Sequence, residues 1–523
     1  MAEIGKARKC LKGQEAINLW LAGKDMWNSQ TANPFGMDVD FSDVSFDDHV
    51  PNFHDGSARF SFDGYQFPNG NVIFDRANFG NGGVSFKNAV FGEGEVSFSN
   101  TIFGKGYVSF RKTKFGDGDV SFDNTKFSDG RISFQDASFG NGNVNFEDAV
   151  FKAQVSFNNT EFGDGYISFD GAKFQSSHVS FDNAHFRLGL TDFNNTEFSG
   201  VKVSFNKTVF GKGNVTFMNA LFHEATIQFI STNFGDGNTN FDRCHFGKGS
   251  VYFLAATFGK GNVSFDRSIF GGDLISFDSA TLGKGKFSLE EVQSDAVVNF
   301  SKLANTDKTN QFSLRHGTFN QSLMMPEGKL GCVPDLRNCK LDKQVTLHEL
   351  EITLNRERRP WPVFGVLAAS DPEDASRLRR LKEIAESNRD HAQSLSFHAD
   401  EMRAKRWVEI GFFASILDAA FSALSDYGQS IWRPTFWLFV MNLVLVGFYT
   451  ASSGGKWLEA IEYTLANSLP FLISSRKIGT DSLTALYGGS IPDYLNFLTM
   501  GQGVLTVIFL FLIGLGLRNR FRI

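Results

Sequence analysis

Residues 84–107 read VSFKNAVFGEGEVSFSNTIFGKGY, and the fold follows from this pattern. The stretch contains two copies of a twelve-residue unit, and each copy carries two Phe five positions apart, such as Phe86 and Phe91. The next Phe follows seven positions later. This alternation continues from Phe62 to Leu282, with one shortened step from Phe151 to Phe157. Repeats at a fixed short period are typical of solenoids, in which each unit is held mainly by its neighbours.

A second column of residues precedes each Phe by two positions. Ahead of the first Phe of a pair stands Val or Ile, as at Val84 and Val96, and ahead of the second stands a small residue, as at Ala89 and Thr101. Residues two apart on an extended chain face the same side, so each Phe and its companion point inward together. The polar residues and glycines between them suit an outer face with corners.

The five-residue step with a small residue before a central Phe resembles the pentapeptide-repeat family. This resemblance implies a mainly β fold, a right-handed quadrilateral solenoid. The sequence departs from the plain pattern because two residues, usually in a Gly-x-Gly element such as Gly104-Lys105-Gly106, are added at every second corner. A four-sided coil would then use about 24 residues, with a rise of ~4.8 Å. Glycine at these corners is expected to supply positive φ.

Composition and charge narrow the classes of function. The 523 residues include 59 Phe against 7 Trp and 9 Tyr, and the formal net charge is -6. This balance disfavours a nucleic-acid partner, and the Lys and Arg mixed among the acids disfavour the DNA mimicry known in the pentapeptide family. The four Cys form no CxxC pair, so reduced intracellular thiols are expected, with no metal and no cofactor. The scattered His and the lack of a catalytic motif argue against an enzyme.

Shifts in composition divide the chain into six predicted segments. An amphipathic helix over Gln14–Asn28 would cap the first coil, and a Glu/Arg/Ala/Leu-rich stretch would form a solvated helical connector. The predicted segments are an N-terminal cap (1–40), a pentapeptide-like β-solenoid (41–300), irregular terminal coils and a cap (301–370), a polar helical connector (371–407), an interfacial helix (408–433) and a two-span membrane domain with a re-entrant loop (434–523).

Two uncharged stretches near the C-terminus predict membrane spans. The first would run from Pro434 to about Ser452, and the second, from Leu495 to Leu517, is followed at once by three Arg. Positive charge flanks the start of the first span and the end of the second. The charge rule therefore predicts a multi-pass protein of the cell (inner) membrane with both termini cytoplasmic, and the lipid bilayer as a partner.

The segment between the spans suggests a pore. Lys456–Ile473 suits a re-entrant half helix, and the order span, half helix, span is similar to the two-helix domain of potassium channels, as are the Asp426-Tyr427-Gly428 element and the closing Gly514–Arg522 stretch. The resemblance implies an oligomeric ion channel, but no TVGYG-like filter occurs, so potassium selectivity is not expected. The candidate pore residues are Asn467, Ser468, Pro470, Phe471, Ser474, Ser475, Gln502 and Thr506.

Two spans cannot enclose a pore, so the channel interpretation requires an oligomer, most naturally a homotetramer. The solenoid would then be a cytoplasmic regulatory or docking domain with a protein partner on its surface. The alternative is a membrane-tethered β-solenoid that acts as an interaction scaffold and conducts no ions.

Overall fold

The computed structural model describes residues 9–32, 36–49, 59–359, 366–469, 473–488 and 491–521. The chain divides into two compact units, Met1–Thr353 and Leu354–Ile523. The first unit is a parallel β-solenoid and the second is mainly helical.

Each coil of the solenoid contributes to four parallel ladders. Starting at Val96, the chain reaches the second ladder at Ile102, the third at Val108 and the fourth at Lys114, and then returns to the first ladder at Val120. Paired residues are therefore 24 apart, as the sequence predicted. The distance falls to 23 residues where the repeat is shortened, as in the pairing of Ile132 with Val155.

Three of the ladders are long sheets of very short strands. Sheet 1 has thirteen strands, Lys9–Lys12, Met37–Asp40, Val72–Ile73, Val96–Ser97, Val120–Ser121, Val144–Asn145, Ile167–Ser168, Thr191–Asp192, Val215–Thr216, Thr239–Asn240, Val263–Ser264, Lys286–Ser288 and Gln311–Ser313. Sheet 2 has eleven, Ile102–Phe103, Lys126–Phe127, Val150–Phe151, Lys173–Phe174, Glu197–Phe198, Leu221–Phe222, His245–Phe246, Ile269–Phe270, Gln293–Ser294, Thr318–Phe319 and Lys340–Leu341. Sheet 3 has thirteen, Phe60–Ser61, Val84–Ser85, Val108–Ser109, Ile132–Ser133, Val155–Ser156, His178–Ser180, Lys202–Ser204, Thr226–Gln228, Val251–Tyr252, Leu274–Ser276, Val297–Asn299, Leu323–Met324 and Val345–Thr346.

The fourth ladder consists mostly of isolated bridges. Its strands are Glu161–Phe162, His185–Phe186 and Val209–Phe210, and bridges such as Lys114 to Ser138 continue it in both directions. Near the end of the unit, Gly328–Leu330 pairs with Leu350–Ile352. Two short 3-10 helices, Phe46–Asp48 and Thr306–Lys308, complete this unit.

Columns of stacked phenylalanine rings fill the interior. The rings of Phe98 and Phe122, one coil apart, are parallel within 4° with centroids 4.9 Å apart, and both are fully buried. Phe98 meets Phe110 of the opposite column edge to face, at 5.4 Å and 81°. Because the stacking distance matches the spacing of neighbouring strands, a ring of one size can repeat at every coil without opening a void. This geometry accounts for the excess of Phe over Trp and Tyr.

Where Thr occupies the small-residue slot two positions before the second Phe of a pair, its side chain also makes a hydrogen bond. The hydroxyl of Thr113 donates to the carbonyl of Phe86 at 2.7 Å, one coil back, and Thr125 donates likewise to Phe98 at 2.8 Å. Cys244 occupies the same slot, and its thiol donates to the carbonyl of Phe217 at 2.9 Å. This cysteine is therefore a replacement for Thr in a repeated structural position.

The glycines of the Gly-x-Gly corners have a different role from the one expected. Gly104 and Gly106 do not have positive φ, whereas Asn88, Asn100 and Asn124 on the other corner do. A Cβ placed on Gly104 would lie 1.4 Å from the carbonyl oxygen of Gly80, one coil back. The prediction of positive φ at these glycines is thus wrong in general, because the close stacking of corner backbones is what excludes a side chain there.

Two helices, α1 (Gln14–Leu21) and α2 (Lys24–Thr31), separate the first two strands of sheet 1 along the chain, and those two strands pair directly. The indole of Trp20 stacks on Phe62 at 5.3 Å, and Trp27 stacks on Phe41 at 6.1 Å. Both helices therefore bury their aromatic residues against the first rings of the solenoid, and a capping role for them stays a prediction.

The second unit begins with an antiparallel pair of strands, Arg356–Arg359 and Val366–Ala369. Seven helices follow within the part of this unit that the structure describes. They are α3 (Asp374–Ser387), α4 (His391–Lys405), α5 (Phe412–Ser425), α6 (Trp432–Ser452), α7 (Trp457–Ser468), α8 (Ile473–Tyr487) and α9 (Tyr494–Phe521). Helices α3 and α4 form a hairpin whose turn is closed by Asp390, since its carboxylate accepts from the backbone N–H of Gln393 at 3.0 Å.

Candidate membrane site

Helices α6 and α9 are long and apolar enough, by length and composition, to cross a membrane. They are antiparallel. Near one end, a Cβ on Gly516 of α9 would lie 3.1 Å from Ile431, just before α6, and near the other end the rings of Phe448 and Tyr494 meet at 6.0 Å. We call these the connector end and the loop end of the helix pair.

The outward surface of this pair is apolar. On α6, Phe439 and Val444 are 65% and 64% exposed, and on α9 Phe497 and Phe511 are 80% and 68% exposed. Such a continuous apolar surface on two long helices is unusual for a protein surface in contact with water, and it suits contact with lipid or with further copies of the chain.

Between the spans, α7 and α8 form a helical hairpin whose two open ends lie at the loop end. The Lys456 ammonium donates to the carbonyl of Ala485, and the hydroxyl of Tyr487 lies 2.5 Å from that of Ser452. The other end of α7 is much deeper, because the hydroxyl of Ser468 donates to Asn442 Oδ1 at 2.6 Å. Asn442 lies ten residues before Ser452 on α6, or about 15 Å along the helix axis.

The hairpin differs from the predicted half helix in its second part. The sequence predicted one half helix over Lys456–Ile473, with Ser468–Ser475 in the place where a channel would have its filter. The structure instead ends α7 at Ser468 and starts a fifteen-residue helix, α8, at Ile473. A carbonyl filter of the potassium-channel type needs extended backbone, and helical Ser474 and Ser475 do not supply it.

Three of the predicted pore residues lie inside the subunit. The side-chain amide of Gln502 donates to the carbonyl of Thr464 at 2.9 Å and to the hydroxyl of Ser468 at 3.2 Å. Gln502, Ser468 and Thr506 are at most 5% exposed. Gln502 and Ser468 join α9 to α7 and fix the depth of the hairpin, and none of the three residues faces solvent in this subunit.

Two other predicted residues, Asn467 and Ser475, line a polar recess of about 480 Å³ between α7 and α8. Arg476, Thr480 and Tyr463 also line it. The side-chain nitrogen of Asn467 is enclosed and has no hydrogen-bond partner among the described residues. Ser474 is exposed on α8, while Pro470 and Phe471 lie outside the described residues.

Charged side chains occupy the outer surface of this hairpin. Arg476 and Lys477 are exposed within the first two turns of α8, close to its deep end, and Glu462 and Asp481 are exposed farther along the hairpin. Ser482 donates to Glu462 at 3.2 Å. The surface of the hairpin therefore differs in polarity from the apolar surfaces of α6 and α9.

The Asp426-Tyr427-Gly428 corner, between α5 and α6, connects four helices. Its three residues all have positive φ, between 52° and 77°. Asp426 forms ion pairs with Arg403 of α4 and with Arg433 of α6. The carbonyl of Gly428 accepts from the side-chain amide of Asn519, near the end of α9, at 3.0 Å.

Tyr427 connects the same corner to α5. Its hydroxyl donates to Asp418 at 3.0 Å and accepts from Arg406 at 2.8 Å, and Arg406 also donates to Asp418 at 2.6 Å. Burial raises the pKa of Tyr427, so the phenol stays protonated and keeps its donor. Asp418 thus lies on the inner face of α5, with its charge compensated.

A second ionic cluster holds the connector hairpin together. Glu401 is 3% exposed and is bound by Arg379 at 3.1 Å, by Lys382 at 3.3 Å and by Lys405. Burial alone would raise the pKa of Glu401, but the hydrogen bonds from Lys405 and Arg379 outweigh it and lower that pKa. The connector is therefore a rigid, charge-paired hairpin.

Sequence reasoning missed the residues that hold the site from inside. Asn442, Tyr449 and Thr464 contact the predicted residues, and Tyr449 and Thr464 are fully buried. The signal was available for Asn442 and Tyr449, because polar side chains within an apolar span are candidates for a function or for packing between helices.

No protein-family model matches the chain, and neither the curated proteins nor the solved structures contain a match. The resemblance to pentapeptide-repeat proteins therefore rests on the geometry of the solenoid, with its parallel coils and regular Phe.

Proposed function

We propose that the protein is an oligomeric membrane channel, in which copies of the α7–α8 hairpin surround a water-filled cavity and the solenoid serves as a regulatory or docking domain. One observation carries this proposal. Arg476 and Lys477 are exposed near the deep end of a hairpin that reaches about 15 Å below the loop end of the spans.

Charges at that depth exclude lipid as the neighbour of the hairpin. A Lys or Arg in the hydrocarbon centre costs about 3 kcal/mol each on insertion scales, and such residues face a bundle interior or a water-filled cavity. A single subunit offers α6 and α9 to lipid on one side and the hairpin on the other. Several copies arranged with their hairpins inward would place all the charged groups around one aqueous axis. A ring of four remains our preferred assembly.

The lining of such a cavity would be mixed in charge. Arg476 and Lys477 lie deepest, near Asn467, Ser474 and Ser475, while Glu462 and Asp481 lie nearer the loop end. We therefore expect the deep part of the cavity to favour anions and to lack potassium selectivity.

The corner at Asp426–Gly428 gives the channel a means of control. An event at the connector would reach α5 through Arg406, α6 through Asp426 and α9 through Gly428 and Asn519. Since α6 begins and α9 ends at the connector end, we expect these two helix ends to lie on one side of the membrane. The basic residues at that end favour the cytoplasm, and the cell (inner) membrane is the expected location.

The second candidate is a membrane-tethered scaffold without conduction. Its support is that Gln502, Ser468 and Thr464 satisfy one another inside the subunit, so the two spans and the hairpin form a complete anchor without a pore.

Recordings from the purified full-length protein in planar bilayers test the proposal. The variant is Arg476→Gln/Lys477→Gln, and the matched control is Lys126→Gln/Lys173→Gln, which removes the same charge from exposed positions on sheet 2. We expect discrete currents, with a reversal potential in unequal KCl that moves toward cation preference only in the hairpin variant.

The anchor candidate predicts a different set of results. Silent membranes for the full chain and for a version lacking residues 9–353, or currents whose ion preference is the same in both variants, would reject the channel with this lining. Incorporation into the bilayer is checked in each case by flotation of the vesicles.

A further inference from the structure

The shortened repeat coincides with a recess on sheet 3. The recess has a volume of about 610 Å³ and lies where Phe151 and Phe157 are one residue closer than in other units. Its lining includes Arg111, Arg131, Gln135, Gln154, Ser133 and Ser156. No acidic residue is among the side chains that line it.

On two coils outside the recess, sheet 3 pairs a Ser with an Asp. The hydroxyl of Ser85 donates to Asp63, and that of Ser204 donates to Asp182, in each case to a residue one coil back. The carboxylate follows the Phe of one coil and accepts from the Ser of the next. This pairing satisfies the two serine hydroxyls, whereas other coils carry Lys87, Asn158 or Asn206 at the same position.

Within the recess no carboxylate occupies this position. Arg111 stands at the position that would accept from Ser133, and Gln135 stands at the position that would accept from Ser156. Each of these serines accepts a backbone hydrogen bond, at 3.3 Å, from the residue two positions later. For their own hydroxyl hydrogens, the part of the chain that the structure describes offers no acceptor. Both serines line the recess, so each hydroxyl can donate to a ligand bound there.

The guanidinium of Arg111 also has unused hydrogen-bonding capacity. Its Nε is enclosed and makes no hydrogen bond among the described residues, and the carboxylate oxygen of Asp136 is 3.8 Å away, too far for one. Asp136 is itself bound by the amide of Asn159 at 3.0 Å. With Arg131 on the next coil, the recess presents two cations and several neutral donors.

We propose that this recess is a binding site for a small anionic molecule that carries carboxylate or phosphoryl groups. Guanidinium groups bind both kinds of anion through paired N–H donors, and the serine hydroxyls and the amides of Gln135 and Gln154 complete a donor-rich wall. The site lies wholly within the solenoid and is independent of the proposed pore. Its ligand would be the signal that the solenoid detects.

Titration calorimetry of the full-length protein in detergent tests the site with two probes, inorganic pyrophosphate and citrate, at constant ionic strength. Arg131→Gln removes one cation. Arg111→Asp supplies the carboxylate that Asp63 and Asp182 provide on other coils, so Ser133 gains an acceptor and the coil is expected to keep its melting temperature. The matched control is Lys126→Gln, an exposed cation on sheet 2.

We expect at least one probe to bind, and the probe that binds identifies the ligand as phosphoryl or carboxylate in type. Arg131→Gln should weaken binding about tenfold and Arg111→Asp more than tenfold, since each removes charge-assisted hydrogen bonds, whereas Lys126→Gln should stay within about twofold. The site is rejected if neither probe binds the unmodified protein, or if Lys126→Gln weakens binding as much as Arg131→Gln.

Discussion

The role of glycine in the corners leads to a prediction about two residues in the same column, Gly247 and Gly271. A Cβ on Gly247 would lie 1.4 Å from the carbonyl oxygen of His223, whereas a Cβ on Gly271, one coil later, would lie 3.3 Å from that of Gly247. The two glycines share a motif position, and neither has positive φ. Replacement by Ala therefore tests the space between coils with little other change.

The expected effects differ in size. A carbon and an oxygen in non-bonded contact need roughly 3.5 Å, so Gly247→Ala must move the corner by about 2 Å. This movement strains the hydrogen bonds from Gly247 N–H to Phe222, at 2.6 Å, and from Lys248 N–H to His223, at 3.0 Å. With about 1 kcal/mol for each bond and 1–3 kcal/mol for overpacking, Gly247→Ala should cost roughly 4 kcal/mol.

Gly271→Ala is the control. The nearest carbonyl needs to yield by only a few tenths of an ångström, and Ala lowers the entropy of the unfolded chain relative to Gly. We expect its effect to be within about 1 kcal/mol of zero.

The measurement is hydrogen–deuterium exchange of the peptides that cover residues 222–250, together with urea unfolding of the full-length protein. Exchange reports local opening, which in a solenoid is confined to neighbouring coils. The reasoning is refuted if Gly247→Ala leaves exchange unchanged, or if Gly271→Ala raises it as much.

Three further predictions concern other parts of the chain. Burial raises the pKa of Cys244 well above its ordinary value of 9.0, so above pH 9.0 the unfolded thiol ionises while the folded one does not, and the stability should fall as pH rises. Comparing the unfolding curves of the unmodified protein and Cys244→Thr at each pH isolates this contribution. The pKa of Glu401 is lowered in the folded protein, so its stabilising effect is present above its ordinary pKa of 4.5 and is lost as pH falls through the lower pKa of the folded state. Glu401→Gln should therefore lower the free energy of unfolding by about 2 kcal/mol at neutral pH, measured by thermal unfolding, and remove that acid dependence. Gly516→Leu should lower the melting temperature in detergent, because a Cβ there already lies 3.1 Å from Ile431, whereas Gly514→Leu should not, since nothing lies within 4 Å of its Cβ position.

The periodic part of the fold could be predicted from the sequence because the Phe repeat and the coils of the solenoid share one period. The Phe of each unit gave the inward face, and two units of twelve residues gave the coil that pairs Val96 with Val120. The sequence did not show why glycine occupies the Gly-x-Gly corners. The atom that excludes a side chain at Gly104 is a backbone carbonyl oxygen 24 residues away. The pattern also gave no indication that Asn88 would have positive φ.

The helical unit was less predictable. The spans follow from uncharged length, but α8 carries Arg476, Lys477 and Gly479 without a clear apolar stripe, so its sequence does not indicate a helix. Its contact partners decide its structure. The Asp426–Gly428 corner is similar in this respect, since Asn519 contacts it from 91 residues away. Residues that look alike in the sequence, such as Gly514 and Gly516, have different surroundings in the fold.

The two-unit coil gives the solenoid an approximate twofold axis along its length. Sheets 1 and 3 both carry the Val-x-Phe element, and sheet 2 and the fourth ladder both carry the second Phe. Loss or duplication of one twelve-residue unit would therefore preserve every ring column, but it would turn all later surface residues to the opposite side. Gain or loss of 24 residues would change only the length. The core thus tolerates both kinds of change, and only the positions of surface groups such as Arg111 and Arg131 distinguish them.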